Sequence, residues 1–249
     1  MFKKNFLKNV TGIMPMAGRG KRFSNYGYKI PKHLVKINNK PMFERAAMTF
    51  SKNIKWIFIS QKKFMNNFVF KKSLKGFKNK KNIFLNSYTS GQASTVKKAI
   101  NYLNDKNKII IHSCDLTFNV NMKEVNNKIK KFDVIIFTAK SKKYNFKNSQ
   151  QFSWVRKNKK KKNIEISLKK NFRGTKYNNR VLVGSFIFKN KKVLDDCIKY
   201  IFKRKIKTSN EYYIDNAASI SSRIGYKLGE VIVNKYISWG SHHELLEYK

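Results

Sequence analysis

Residues 13–32, IMPMAGRGKRFSNYGYKIPK, decide the fold. An apolar strand at 13–16 runs directly into Ala17-Gly18-Arg19-Gly20-Lys21-Arg22, and Pro31-Lys32 follows nine residues after Arg22. Glycines at 18 and 20 let the backbone turn tightly and offer bare N–H groups to a ligand, which is how a phosphate-cradling loop is built. Arg22 and Lys32 add positive charge to the same rim. The spacing is not that of a Walker A loop, G-x-x-x-x-G-K-[ST]. Nor is it a dinucleotide fingerprint, which needs a third glycine where this chain has Phe23.

Outward from this stretch, apolar runs alternate with amphipathic ones. Strands are predicted at 56–60 (WIFIS), 82–87 (NIFLNS), 108–114 (KIIIHSC) and 133–139 (DVIIFTA), with helices at 41–50, 61–72 and 92–104. Strands alternating with helices predict a largely parallel sheet covered on both faces, with a ligand crevice at the carboxyl ends of the strands. Beyond residue 150 the rhythm changes. QFSWVR, NIEISL and RVLVGSFIF read as strands separated by basic turns, an antiparallel or mixed extension. Helical patterns return at 191–204 and 211–225, followed by a strand at 226–234 and a short helix, HHELLEY, at 242–248. With no internal repeat and no Pro-, Gly- or Ser-rich linker, residues 1–249 read as a single domain.

Three further positions carry chemistry. Gly91-Gln92 opens a helix after Ser90, and a Gln side chain, donor and acceptor at once, suits the imide edge of a pyrimidine. The plain alternative is a capped helix start. Asp115 ends a buried parallel strand and is placed to hold Mg²⁺ on a triphosphate, or is simply a strand-end turn residue. Gly184 sits inside a predicted strand, where glycine marks a bulge or a close backbone approach.

The pattern AGRGKR…PK resembles the opening signature of the sugar-phosphate nucleotidyltransferases, A-G-x-G-x-R followed by P-K. The resemblance implies a Rossmann-like three-layer α/β fold with a mixed, mainly parallel central sheet. It also implies that the loop, with Ala17, Gly18 and Gly20, wraps a triphosphate, and that Arg22 and Lys32 contact its phosphates. Gly91 and Gln92 fall where the family reads the base, and Asp115 where it binds Mg²⁺. Looser matches make Gly184, Lys169 and Glu211 substrate-binding candidates. Lys169 lies where the family often has Glu-Lys, but Leu168 replaces the Glu and Lys170 is a rival. Ser238 departs from the family, which often carries a second metal-binding Asp in an Asp-x-Gly-Thr element. Asp215 is a candidate to compensate. His242 and His243, opening the last helix, read as surface residues.

Composition bounds the rest. Lys and Arg number 56 against 13 Asp and Glu, for a formal net charge of +43, which attracts polyanions. The lysines are spread along the chain and mixed with Asn and Ile. That is the mark of a chain-wide compositional bias rather than of a nucleic-acid-binding arm. Two cysteines without metal-ligand spacing support neither a disulfide framework nor a zinc site, and fit a reducing cytoplasm. No apolar run is long enough to span a bilayer. The reading is a cytoplasmic Mg²⁺-dependent enzyme that joins UTP, dTTP or CTP to a sugar 1-phosphate, releasing pyrophosphate, with a homo-oligomer left open. Two alternatives stand beside it: a phosphocholine-type cytidylyltransferase, and a catalytically silent nucleotide-sugar or polyanion-binding protein on the same fold.

Overall fold

A computed structural model describes residues 9–158, 163–172 and 179–248, without the side chains of Lys21 and Lys143. The strands among the described residues are β1 (Val10–Pro15), β2 (Lys36–Ile37), β3 (Lys40–Pro41), β4 (Lys55–Gln61), β5 (Lys80–Leu85), β6 (Lys108–His112), β7 (Leu116–Asn119), β8 (Val134–Lys140), β9 (Ser153–Asn158), β10 (Asn163–Leu168), β11 (Arg180–Phe188), β12 (Leu228–Ile232) and β13 (Asn234–Ser238).

β1 is buried on both faces, as its nearly unbroken apolar run requires, and pairs in parallel with β4 on one side and β6 on the other. β5 extends the parallel half beyond β4. β11 then joins β6 in the antiparallel sense, β8 joins β11 antiparallel, and β12 joins β8 in parallel. The hairpin β9–β10 lies beside the first half of β11, so the mixed extension expected after residue 150 is what the structure shows. The register of β11 on β8 shifts between Leu182 and Phe186, around Gly184, whose φ of 72° lies in the left-handed region. A Cβ there would meet Ser113 Oγ at 2.9 Å, so the bulge and the close approach occur together.

Side chains alternate between two cores along each central strand. Val10, Met14, Trp56, Phe58, Ile110, Ile135 and Phe137 face one, with residues of the helices Met42–Ala47, Phe68–Leu74 and Met122–Ile129. Ile13, Ile57, Ile59, Ile109, Ile111 and Ile136 face the other, with the helices Gln92–Lys97, Lys191–Lys203 and Ile214–Ile220. The result is three layers, helix on sheet on helix.

Four predicted helices are shorter than their patterns: those at 41–50 and 211–225 cover Met42–Ala47 and Ile214–Ile220, and two others are broken by 3₁₀ turns. The run at 61–72 is split by a 3₁₀ turn at Lys62–Phe64, and its helix begins after Asn67, whose side chain accepts from Phe70 N at 3.1 Å. The run at 92–104 stops at Lys97 and tightens into a 3₁₀ turn, Ile100–Tyr102, that keeps Ile100 and Leu103 in the core before the chain enters β6. A third small core, Phe23, Val35, Ile37, Met42, Trp239 and Leu245, ties the signature stretch to the C-terminal helix His242–Tyr248. Among the described residues no helix is long and apolar enough to cross a membrane.

Candidate active site

The carboxyl ends of β1 and β6 place the two ends of the site side by side. After Pro15 the chain leaves the sheet, with Met16 N donating to Ile59 O (2.7 Å), and turns through Gly18 and Gly20 into the short helix Lys21–Ser24. Gln61, buried at the end of β4, fixes this turn from below by donating to the carbonyls of Ala17 (2.9 Å) and Ser87 (3.3 Å). Nothing lies within 4 Å of where a Cβ of Gly18 would be, so the loop is open on its ligand side. Gly20 has a φ of 66°.

Lys32 reaches back under this loop. Its ammonium forms an ion pair with Asp115 and donates to Gly240 O at 3.0 Å. Burial pushes the Asp115 carboxyl up, but the ion pair with Lys32 and the field of Arg22 outweigh it, and the group is held below its ordinary value. Two buried imidazoles flank the pair. His33 is edge-on to Phe43, Phe64 and Phe70, and His112 donates from Nε2 to Ala46 O (3.0 Å) while Nδ1 accepts from Ser185 Oγ (2.6 Å). Burial lowers both to about 4, so both are neutral at pH 7. Burial likewise pushes the thiols of Cys114 and Cys197 up to about 12, so neither is a thiolate nucleophile.

β13 pairs antiparallel with β7, setting Ser238 opposite Leu116, and Trp239 N donates to Asp115 O at 2.7 Å. This small ladder, which the sequence reading missed, carries Ser238 to the carboxylate. A Cβ on Gly240 would lie 3.1 Å from Glu244 Oε2, 3.2 Å from Ser238 Oγ and 3.5 Å from Asp115 Oδ2. The lack of a side chain at 240 thus leaves a cradle ringed by three oxygens, with the Lys32 ammonium already resting on Asp115. That donor set fits a Mg²⁺ ion that takes most of its ligands from phosphate and water and one or two from carboxylates.

Across the crevice, Gly91 has a φ of 122°, and a Cβ there would lie 2.6 Å from both N and O of Tyr212. Tyr212 N donates to Ser90 O (2.8 Å) and Ala93 N to Tyr212 O (2.8 Å), so the segments around Gly91 and Glu211 form one backbone-bonded unit. Gln92 Nε2 donates to Ser113 Oγ at 3.4 Å, and Ser113 N donates to Gly184 O at 3.1 Å. Gln92, Ser113 and Gly184 therefore line one wall.

A second cluster gathers around Arg22. Lys169, at a left-handed φ of 58°, donates from Nζ to Gln151 O (3.0 Å) and lies 5.5 Å from the centre of the Tyr213 ring. Burial lowers its pKa, Asp215 opposes that shift, Arg22 adds to it, and Glu211 opposes it. Tyr213 is pushed up to about 12 by burial and by its hydrogen bond to Glu211. Asp215 accepts from Ser153 Oγ at 2.5 Å, and burial raises its pKa against the pull of Ser153 and Lys169. Asp215 thus belongs to the Lys169 side of the site; the cations that hold down Asp115 are Lys32 and Arg22.

The structure sets Lys32 on Asp115 beside Gly240, Gln92 against Ser113 and Gly184, and Lys169 within the field of Arg22, Glu211 and Asp215. Gln61, Ser113 and Ser153 were missed, although polar residues closing the runs WIFISQ and IIIHS were a signal. His243 is exposed, in keeping with the surface reading, and His242 is half-buried; their rings stack on Tyr144 (5.1 Å between ring centres) and Tyr26 (4.5 Å) and line the cleft beside Arg22.

Residues 11–230 match the nucleotidyl transferase family. The chain is a member of that family. This nucleotidyl transferase shares its fold with a nucleoside-diphosphate-sugar pyrophosphorylase from Vibrio cholerae RC9 (TM-score 0.74, 17% identity, 95% of this chain and 98% of that one). It also superimposes on the inositol-1-phosphate CTP transferase from T. maritima (0.70, 14%, 96% and 93%) and on HddC from Yersinia pseudotuberculosis (0.68, 14%, 96% and 97%). At these identities the likeness is one of fold. No curated protein sequence is significantly similar to this nucleotidyl transferase.

Proposed function

We propose that this nucleotidyl transferase condenses a nucleoside triphosphate with a sugar 1-phosphate, giving a nucleoside-diphosphate sugar and pyrophosphate. The observation that carries this reading is the cluster of Arg22, Lys32 and Asp115 beneath the open glycine loop, facing Lys169 and Glu211 across the crevice. A phosphate oxygen of the acceptor attacks the α-phosphorus. The new P–O bond forms as the bond to the β-phosphate bridging oxygen breaks, and pyrophosphate departs in line.

Each residue has a role within that step. The amides around Gly18 and Gly20 cradle the triphosphate, and Gln92, on the wall with Ser113 and Gly184, meets the base of UTP, dTTP or CTP. Arg22 and Lys32 neutralise the charge that builds on the phosphates. Asp115, with Ser238 and Glu244 beside it, would hold Mg²⁺, which supplies charge neutralisation on the triphosphate. Lys169 holds the acceptor phosphate near Arg22, and Glu211 accepts from acceptor hydroxyls. The nucleophile is already ionised, so no general base is required, in keeping with neutral His33 and His112 and with un-ionised thiols.

An acceptor that is a cyclic alcohol phosphate is the second reading, favoured by the fold shared with an inositol-1-phosphate CTP transferase. The test is pyrophosphate release with Mg²⁺ across four nucleoside triphosphates, each paired with sugar 1-phosphates, inositol 1-phosphate and phosphocholine. Release confined to one sugar 1-phosphate pair and lost in Asp115→Ala supports the proposal. Release only with inositol 1-phosphate or phosphocholine moves the assignment to that acceptor. Nucleotide binding without release from any pair leaves a silent binding protein.

A further inference from the structure

We infer that the cleft between the signature stretch and the C-terminal helix is a specificity pocket for the hydroxyl-rich body of the acceptor, whose phosphate points to Arg22. This rests on the transferase reading above and names the part of the acceptor that the Lys169 and Glu211 cluster leaves outside.

The cleft measures about 620 Å³, within the range of small-molecule sites, and Arg22 belongs both to it and to the catalytic cluster. Two stacked ring pairs form its walls. His242 lies against Tyr26 with 17° between the ring planes, and its Nδ1 is 3.2 Å from Tyr28 Oη. His243 lies against Tyr144 at 20° and pairs with Glu247 at 3.4 Å. The amides of Asn25, Asn148 and Gln151 complete the lining. The Gln151 carbonyl accepts from Lys169, so the cleft is joined to the lysine assigned to the acceptor phosphate.

This lining selects a class of ligand. Aromatic faces suit the C–H surface of a sugar or cyclitol ring, and neutral amides satisfy its hydroxyls. Tyr26 remains 64% exposed, an apolar surface the fold itself does not cover. Arg22 and Lys147 are cations at the cleft and Glu247 is its one carboxylate, a balance that suits a ligand carrying a phosphate.

The experiment compares wild type with His243→Ala and, independently, Gln151→Ala, two exposed positions whose loss leaves the cores intact. Titration calorimetry measures binding of glucose 1-phosphate, inositol 1-phosphate, phosphocholine and UTP, and steady-state kinetics are run with any pair that turns over. The expected result is that a polyol phosphate binds wild type, that its Kd or KM rises about tenfold in each variant, and that the UTP value does not move. The inference is overturned if neither polyol phosphate binds wild type, if phosphocholine binds in preference, or if acceptor and UTP affinities fall together. Binding with this pattern but no turnover would keep the pocket and sink the transferase reading, so the two fail separately.

Discussion

The ammonium of Lys32 rests on the carboxylate of Asp115, 83 positions away in sequence, and holds the 3₁₀ turn Lys32–Leu34 to the end of β6. Both side chains are about one-fifth exposed, at 18% and 21%, so the pair is only partly screened by solvent. Lys32→Ala leaves Asp115 with Arg22 as its nearest cation and is expected to cost about 1–3 kcal/mol of stability. Urea denaturation of the two single variants and of Lys32→Ala/Asp115→Ala checks this. A double variant no less stable than Lys32→Ala identifies the stranded carboxylate as the cause. Either single change should also cut pyrophosphate release by about a hundredfold or more.

Gly91 and Gly18 should respond in opposite ways. A Cβ on Gly91 would lie 2.6 Å from the Tyr212 backbone, at a φ that L-residues avoid, so Gly91→Ala is expected to destabilise the protein by about 3 kcal/mol and lower its Tm. Gly18→Ala meets nothing within 4 Å and should leave the Tm in place while raising the KM for the nucleoside triphosphate. Thermal melts with steady-state kinetics separate the two.

Acid should weaken the fold well above the range where carboxylates titrate. His33 and His112 stay neutral in the folded chain down to about pH 4, whereas the unfolded chain takes up the same protons near pH 6.5. Their stabilisation is therefore complete above pH 6.5 and is lost as pH falls from 6.5 to 4, by about 3 kcal/mol for each imidazole. Urea midpoints measured across this window give the slope. His33→Phe, which keeps a ring among Phe43, Phe64 and Phe70, should remove about half of it.

Ser238→Asp tests the cradle at Gly240. A carboxylate placed beside Asp115 should lower the Mg²⁺ concentration for half-maximal activity and raise Mg²⁺ affinity measured by calorimetry in the presence of nucleotide. Unchanged Mg²⁺ affinity would mean that the metal, if used, is held elsewhere.

The parallel half of the sheet was legible because its central strands are apolar on both faces, a pattern that helices and exposed strands do not share. The signature loop was legible because its glycines and cations are adjacent in sequence. The β7–β13 ladder was not. Both strands are short and half exposed, with no sustained alternation, and their pairing spans over a hundred residues. Gln61, Ser113 and Ser153 escaped for a related reason. Each is a single polar residue closing or opening an apolar strand, and its meaning comes from what the fold sets opposite it. The histidine pair was read as surface, and His243 is exposed, but a helix start gives no hint that Tyr26 and Tyr144 would stack on the two rings.

Gly91 gives up its side chain to the backbone of Tyr212, and that exchange binds two distant stretches of the gene into one inheritance. A change at position 91 is tolerated only if the chain around Tyr212 retreats with it, whereas its neighbour Gln92 is free to vary in what it recognises. On the proposed reading, in which Gln92 meets the base, a new nucleotide preference can therefore arise one codon away from a position that stays fixed, and the acceptor side of the crevice need not be rebuilt when it does.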